Sequence, residues 1–177
     1  MISGLARGRR LREPAGLAIR PTVDRVKEAM FNIIQFDVAG RRALDLFSGT
    51  GQLGIEALSR GADGAVFVDS SDAAARLTRA NVAAAGFADS ATVLKRDSIA
   101  YLDGCGQFGV VFLDPPYDTP LLRDALEKII KFDKLLANGI IICESRAGTM
   151  MPDARAPYYK GSEYRYGGTA LTLYGRT

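Results

Sequence analysis

The sequence predicts a doubly wound α/β fold, mostly parallel with an antiparallel C-terminal edge, and three observations carry that prediction. Short apolar, β-branched runs alternate with Ala-rich stretches of helical spacing along most of the chain. Most of the runs are continuously apolar, as parallel strands covered on both faces are. The tail from about 156 to 174 instead alternates, through Tyr158, Tyr164, Tyr166 and Ala170-Leu171-Thr172-Leu173-Tyr174, as antiparallel strands closing a sheet edge do.

Taken in order, the first element is a helix near 22–36, with Val23, Val26, Met30 and Ile33 on one apolar face and Pro21 just before its start. Strands are expected at about 43–47, 65–69, 91–95, 108–113 and 139–144. Helices near 52–60, 71–85 and 119–136 separate them. No repeat or linker interrupts the 177 residues, which read as one domain, 1–177, with 1–36 as a basic arm plus helix. At 47% hydrophobic residues a chain of this size buries enough apolar surface to need no staple.

Several classes are excluded. The longest apolar runs, such as Val110-Val111-Phe112-Leu113, fall far short of the ~20 residues of a transmembrane helix. The first ten residues have no apolar core of a signal peptide, so no membrane contact and a cytoplasmic location are expected. Histidine is absent, which removes serine triads, His-ligated metals and the commonest general base. Cys105 and Cys143 form no C-x-x-C pair, so no metal is expected and both read as buried thiols.

Charge is unevenly distributed. Residues 1–28 carry seven basic side chains against three acidic ones, while the rest of the chain carries sixteen against seventeen. The excess of Arg7, Arg9, Arg10, Arg12, Arg20 and Arg25 suggests a polyanionic partner. The first four are crowded around small residues, a spacing that suits a flexible hairpin or strand along phosphates. Arg20, at the rigid Arg20-Pro21-Thr22 entry to the helix, and Arg25 are expected nearer the reacting groups.

After the first strand the chain reads Asp45-Leu46-Phe47-Ser48-Gly49-Thr50-Gly51-Gln52-Leu53-Gly54. Gly49, Gly51 and Gly54 satisfy G-x-G-x-x-G between a strand and a helix, and Asp69 ends the next strand. Such a loop suits either a nicotinamide dinucleotide or S-adenosylmethionine. Asp45 tips the balance, since a carboxylate there favours a cationic amino-acid moiety and repels a pyrophosphate. Asp97-Ser98 ends the third strand, where Asp97 either accepts from an adenine amino group or caps a helix.

The most specific run is Asp114-Pro115-Pro116-Tyr117, directly after the fourth strand. Two prolines remove two backbone donors and stiffen the chain, leaving carbonyls free to accept. The Asp114 carboxylate and the Pro115 carbonyl together suit both N–H groups of a planar amine, and Tyr117 suits stacking on its ring.

With these motifs in order (the glycine loop, Phe-Val-Asp, Arg-Asp-Ser, Leu-Asp-Pro-Pro-Tyr), the chain resembles class I S-adenosylmethionine-dependent methyltransferases of exocyclic amines. Ile19-Arg20-Pro21-Thr22-Val23-Asp24-Arg25 and Tyr166-Gly167-Gly168-Thr169-Ala170-Leu171 narrow the resemblance to the RsmD family of bacterial 16S ribosomal RNA guanine-N2 methyltransferases. It runs from about residue 2 to 174. Asp69 stands where the family more often has Glu.

The resemblance implies a Rossmann-like, seven-stranded sheet. It implies S-adenosylmethionine as methyl donor, held by Asp45, Phe47, Gly49, Gly51, Asp69, Ser70, Asp97 and Ser98, with S-adenosylhomocysteine as product and no metal. Asp114, Pro115, Pro116 and Tyr117 would hold the guanine, Asp114 positioning the amine and receiving its proton once the nitrogen is cationic, a stage at which even an acid of ordinary pKa suffices. The implied partner is 16S ribosomal RNA, within the small subunit or its assembly intermediate, bound by a monomer. The rival readings are adenine-N6 or another nucleic-acid amino methylation, a dinucleotide-dependent oxidoreductase, and a non-catalytic RNA-binding protein.

Overall fold

The computed structural model describes residues 1–13 and 21–177, and side chains within the first helix from Arg25 onward. Five helices accompany the sheet in the described residues: α1 (Pro21–Ile33), α2 (Gln52–Ser59), α3 (Asp72–Ala85), α4 (Ser98–Gly104) and α5 (Leu121–Lys131). The strands are β1 (Arg42–Leu46), β2 (Gly64–Asp69), β3 (Ala91–Lys95), β4 (Phe108–Leu113), β5 (Leu135–Arg146), β6 (Tyr158–Tyr166) and β7 (Thr169–Arg176). They lie side by side in the order β3-β2-β1-β4-β5-β7-β6. The first five in sequence run parallel, and β7 is antiparallel to both β5 and β6. Chain direction across the sheet reverses between β1 and β4, and a crevice opens at the carboxyl ends of strands at such a switch point.

Burial on both faces explains the continuously apolar strands. Ala43, Phe67, Val110 and Phe112 pack against Met30 and Phe31 near α1, Leu53 and Ile55 of α2 and Val82 of α3. Leu44, Leu46, Val66, Val111 and Leu113 pack on the opposite side with Leu102 of α4 and Leu126 and Ile129 of α5. Of the apolar face expected on α1, Val26 and Met30 are buried. Val23 is not among the described side chains.

Three expectations need correction. The helix expected over 119–136 ends at Lys131, Asp133 takes a left-handed φ of 51°, and Leu135 already pairs with Phe108. A short apolar run such as Leu135-Leu136 fits either period, and pairing with β4 decides it. The helices expected between the strands are joined by a further short one, α4, which Asp97 caps and Leu102 anchors. Finally, the arm up to residue 13 is not a free hairpin. Ile2 and Ser3 donate their N–H groups to the buried carboxylate of Glu56, and Ala6 donates to Ser59 Oγ, so the chain is docked on α2.

Candidate active site

The sharp turn after β1 is built by unusual backbone. Phe47 adopts φ 77° although it carries a side chain, and its N–H and that of Ser48 both bond the Val68 carbonyl. Such left-handed non-glycine residues gather at functional sites. Gly51 (φ 78°) precedes α2 as its N-terminal cap, and a side chain there would press into Thr78. Gly54 lies flat against Phe67, where an added Cβ would come within 2.3 Å of the ring. Gly49 differs: a Cβ there would meet nothing, because its α-carbon faces the open cleft.

α3 holds this loop from behind. Thr78 Oγ1 donates to the Gly49 carbonyl, and Asn81 Nδ2 donates to the Thr50 carbonyl. The fully buried Asn81 also exchanges hydrogen bonds with the backbone of Arg12, joining arm and loop. Sequence reading missed Asn81, whose only signal was a polar residue on the buried face of an Ala-rich helix.

Phe47, Gly49, Asp69, Ser70, Asp97 and Ser98 line one end of a cleft of about 540 Å³. Asp69 accepts from Gly49 N at 2.9 Å and Ser71 N at 2.8 Å, so the fold fixes its carboxylate at the rim. Asp97 Oδ1 accepts from Ala100 N at 2.7 Å and so caps a helix, and the residue also borders the cleft.

Two expected cofactor residues lie behind the wall. Gly51 is buried. Asp45 is buried too and accepts from Gly54 N at 2.9 Å. Glycine at the cap of α2 offers no side-chain acceptor, so Asp45 satisfies the orphan third N–H of the helix from below. Burial pushes its carboxyl up to about 7, with the nearby charge of Asp69 adding to the rise.

The other end of the cleft is formed by Asp114, Pro115, Pro116, Tyr117 and Glu144. Leu113 of β4 pairs with Cys143 of β5, so Asp114 and Glu144, one residue further on each strand, stand next to each other. Asp114 is raised to about 8, chiefly by burial, then by the charges of Glu144 and Asp45. Glu144 is also raised by burial, against the lowering effect of Tyr117.

Tyr117 does more than present a ring. Its hydroxyl donates to Glu144 Oε1 at 3.0 Å and lies 3.2 Å from Thr169 Oγ1. Since a phenol has one proton, the Thr169 hydroxyl is the donor of the second bond. The Arg146 guanidinium, paired with Asp118, lies 5.7 Å from the ring centre. The Pro116 carbonyl accepts from Thr119 Oγ1, while no described residue donates to that of Pro115. Sequence reading missed Glu144, which sits in an apolar strand with no motif around it.

Of the arginines, Arg7, Arg9, Arg10, Arg12 and Arg25 are exposed, and Arg9 Nη1 donates to the Ala84 carbonyl at the end of α3. Arg20 lies outside the described residues. Cys143 is buried and Cys105 half-buried. Among the described residues no cluster of His, Cys, Asp or Glu could hold a metal, and no helix is long and apolar enough to cross a membrane.

The donor set fits S-adenosylmethionine. Gly49 leaves room for close approach, Asp69 keeps lone pairs for ribose hydroxyls, and the acidic lining suits a cation and opposes a pyrophosphate.

The family model described as Conserved hypothetical protein 95 matches residues 1–175. The "Putative rRNA methyltransferase YlbH" of Bacillus subtilis (strain 168) is 35% identical over 98% of this chain and 97% of its own. "Ribosomal RNA small subunit methyltransferase D" of Escherichia coli (strain K12) is 33% identical, covering 99% of this chain and 89% of the relative. Among solved structures, "Putative methyltransferase yhhF from Escherichia coli" superposes with a TM-score of 0.88 at 31% identity, over 99% of this chain and 96% of that one.

Proposed function

The chain belongs to the Conserved hypothetical protein 95 family, that of the small-subunit ribosomal RNA methyltransferase D proteins (RsmD), and from that membership and its cleft we propose that it methylates the exocyclic N2 of a guanine in 16S ribosomal RNA. The observation that carries the reading is the continuity of one cleft, with the glycine loop at one end and Asp-Pro-Pro-Tyr at the other. The oxidoreductase alternative leaves the second end without a role.

S-adenosylmethionine, when bound, supplies an activated methyl group on a sulfonium. Asp69 and Ser70 would hold its ribose, and Phe47, Gly49, Asp97 and Ser98 its remaining parts. Asp45 and Gly51 act through the loop they brace. At the other end, the Asp114 carboxylate and Pro115 carbonyl accept the two N–H groups of the guanine amine, whose lone pair is otherwise delocalised into the ring. Asp114 then takes the proton that the alkylated nitrogen sheds, and a carboxyl raised to about 8 is a stronger acceptor than an ordinary one. Holding both reactants in one cleft accounts for much of the acceleration.

The substrate is ribosomal RNA in the small subunit or its assembly intermediate, met in the cytoplasm by a monomer. Arg7, Arg10, Arg12 and Arg25 bind its phosphates, and Arg20 is assigned with them. Replacing Arg7, Arg10 and Arg12 by Ala should flatten the slope of log affinity against log salt by about two to three units if all three touch phosphate. RNA binding over a salt series checks this; an unchanged slope moves the RNA surface elsewhere. The deciding experiment is nucleoside mass spectrometry of 16S ribosomal RNA from cells with and without the protein. One N2-methylguanosine should disappear; an unchanged profile rejects the reading.

A further inference from the structure

Two carboxylates stand side by side at the acceptor end of the cleft, and no described residue pairs either with a cation. Among the described residues no ion pair reaches Asp114 or Glu144; the nearby Arg146 is engaged with Asp118. Glu144 receives one donor, the Tyr117 hydroxyl, on Oε1. Its Oε2 has no protein donor among the described residues, and Glu144 borders the cleft. A carboxylate oxygen that borders the cleft without a protein donor is open to a donor from a ligand.

The fold also tethers this carboxylate through its other oxygen. Thr169 on β7 donates to Tyr117, and Tyr117 donates to Glu144 Oε1, so the chain of hydrogen bonds tethers the carboxylate. Pairing of Glu144 with Leu171 across β5 and β7 fixes its backbone. A side chain held this firmly, with one acceptor site left open, is suited to reading a donor at a fixed place.

The chemistry of the bases says which donor. Guanine carries N1–H directly beside its N2 amine, two donor atoms in a row on one edge. Adenine and cytosine carry an amine beside a ring nitrogen with a lone pair, which a carboxylate oxygen would repel. We propose that Glu144 is the guanine-specificity residue of this site, its Oε2 accepting the N1–H while Asp114 and the Pro115 carbonyl hold the N2 amine. This assignment rests on the reading of the cleft as an amino-methyltransferase site. It adds the residue that turns an amine pocket into a guanine pocket.

The test varies the base and the residue together. Once the modified guanosine is mapped, RNA is prepared with guanine or with 2-aminopurine at that position. 2-Aminopurine keeps the amine but has a lone pair at N1. Wild type should prefer guanine, and Glu144→Gln should lower kcat/KM for guanine by about ten- to hundredfold, the loss of a charged hydrogen bond. A glutamine amide can donate to a ring lone pair, so activity on 2-aminopurine should hold or rise and the preference should collapse by roughly tenfold or more. Unchanged affinity for S-adenosylmethionine shows that the variant is folded.

Tyr117→Phe removes the tether and leaves the carboxylate, so it should lower activity on both bases with a smaller change in preference. If Glu144→Gln lowers both substrates equally, Glu144 only holds Tyr117 and the assignment is overturned. If wild type methylates neither RNA, the amino-methyltransferase reading itself falls, and this assignment with it.

Discussion

The two ends of the cleft treat their carboxylates in opposite ways. At the cofactor end, Asp69 accepts two backbone N–H groups, and Asp97 and Asp45 accept one each. At the acceptor end, among the described residues, Glu144 receives one donor, the Tyr117 hydroxyl, and the adjacent Asp114 side chain receives none. Backbone donors are permanent parts of the fold, so the first end is built before any ligand arrives. The second end keeps acceptor sites open that a substrate's donors can meet. Binding is preorganised by satisfied groups; chemistry is prepared by unsatisfied ones.

The comparison breaks most visibly at Asp114. Asp114→Asn should lower turnover by at least about a hundredfold, as losing an acid–base group does, while leaving the affinity for S-adenosylmethionine within a few-fold. In wild type, turnover should rise with pH through about 8, because only the ionised carboxyl accepts from the amine. That limb should vanish in the variant. Rapid-quench turnover and calorimetry measure the two quantities separately, and equal losses in both would erase the division between the ends.

The opposite pattern is expected at Asp69. Asp69→Ala removes the acceptor for ribose hydroxyls and also frees Gly49 N and Ser71 N. Cofactor binding should weaken by about 1.5–3 kcal/mol, the worth of charged hydrogen bonds. Turnover at saturating cofactor should change far less. A variant that binds normally by calorimetry would mean that Asp69 serves the loop alone.

How much of this was legible in the sequence follows the same division. Glycines at fixed spacing after an apolar strand, and an acid at the end of the next, announced the loop and Asp69 because backbone geometry restricts residue choice locally. Asp-Pro-Pro-Tyr was equally legible. The partners that complete each end were not. Glu144 is brought beside Asp114 by the β4–β5 register, and Asn81 meets the loop only through the packing of α3. Both contacts join residues far apart in the chain, and neither leaves a local pattern. The direction of Asp45 failed for a related reason: alternation along β1 turns it, like Ala43, toward the α2 side, and a glycine cap needs an acceptor there. The arm's charge was readable, whereas its docking depended on the buried Glu56 of α2.

Asp45 gives the smallest functional effect and the sharpest view of how the fold tolerates a buried acid. Its carboxyl rises from 3.8 to about 7, mainly through burial. Between those values the folded protein holds a proton that the unfolded chain has already released. Stability from this group is therefore complete below the unfolded value and is lost as pH rises, by roughly 1.4 kcal/mol per pH unit over that window. Asparagine keeps an oxygen for Gly54 N and cannot ionise. Asp45→Asn should match wild type in urea unfolding near pH 4, then become progressively more stable relative to it toward pH 8. Cofactor affinity should barely move, because Asp45 lies behind the loop. A stability difference that stays flat across this range would show an ordinary acid in contact with water, and the cap beneath α2 would have to be supplied by another group.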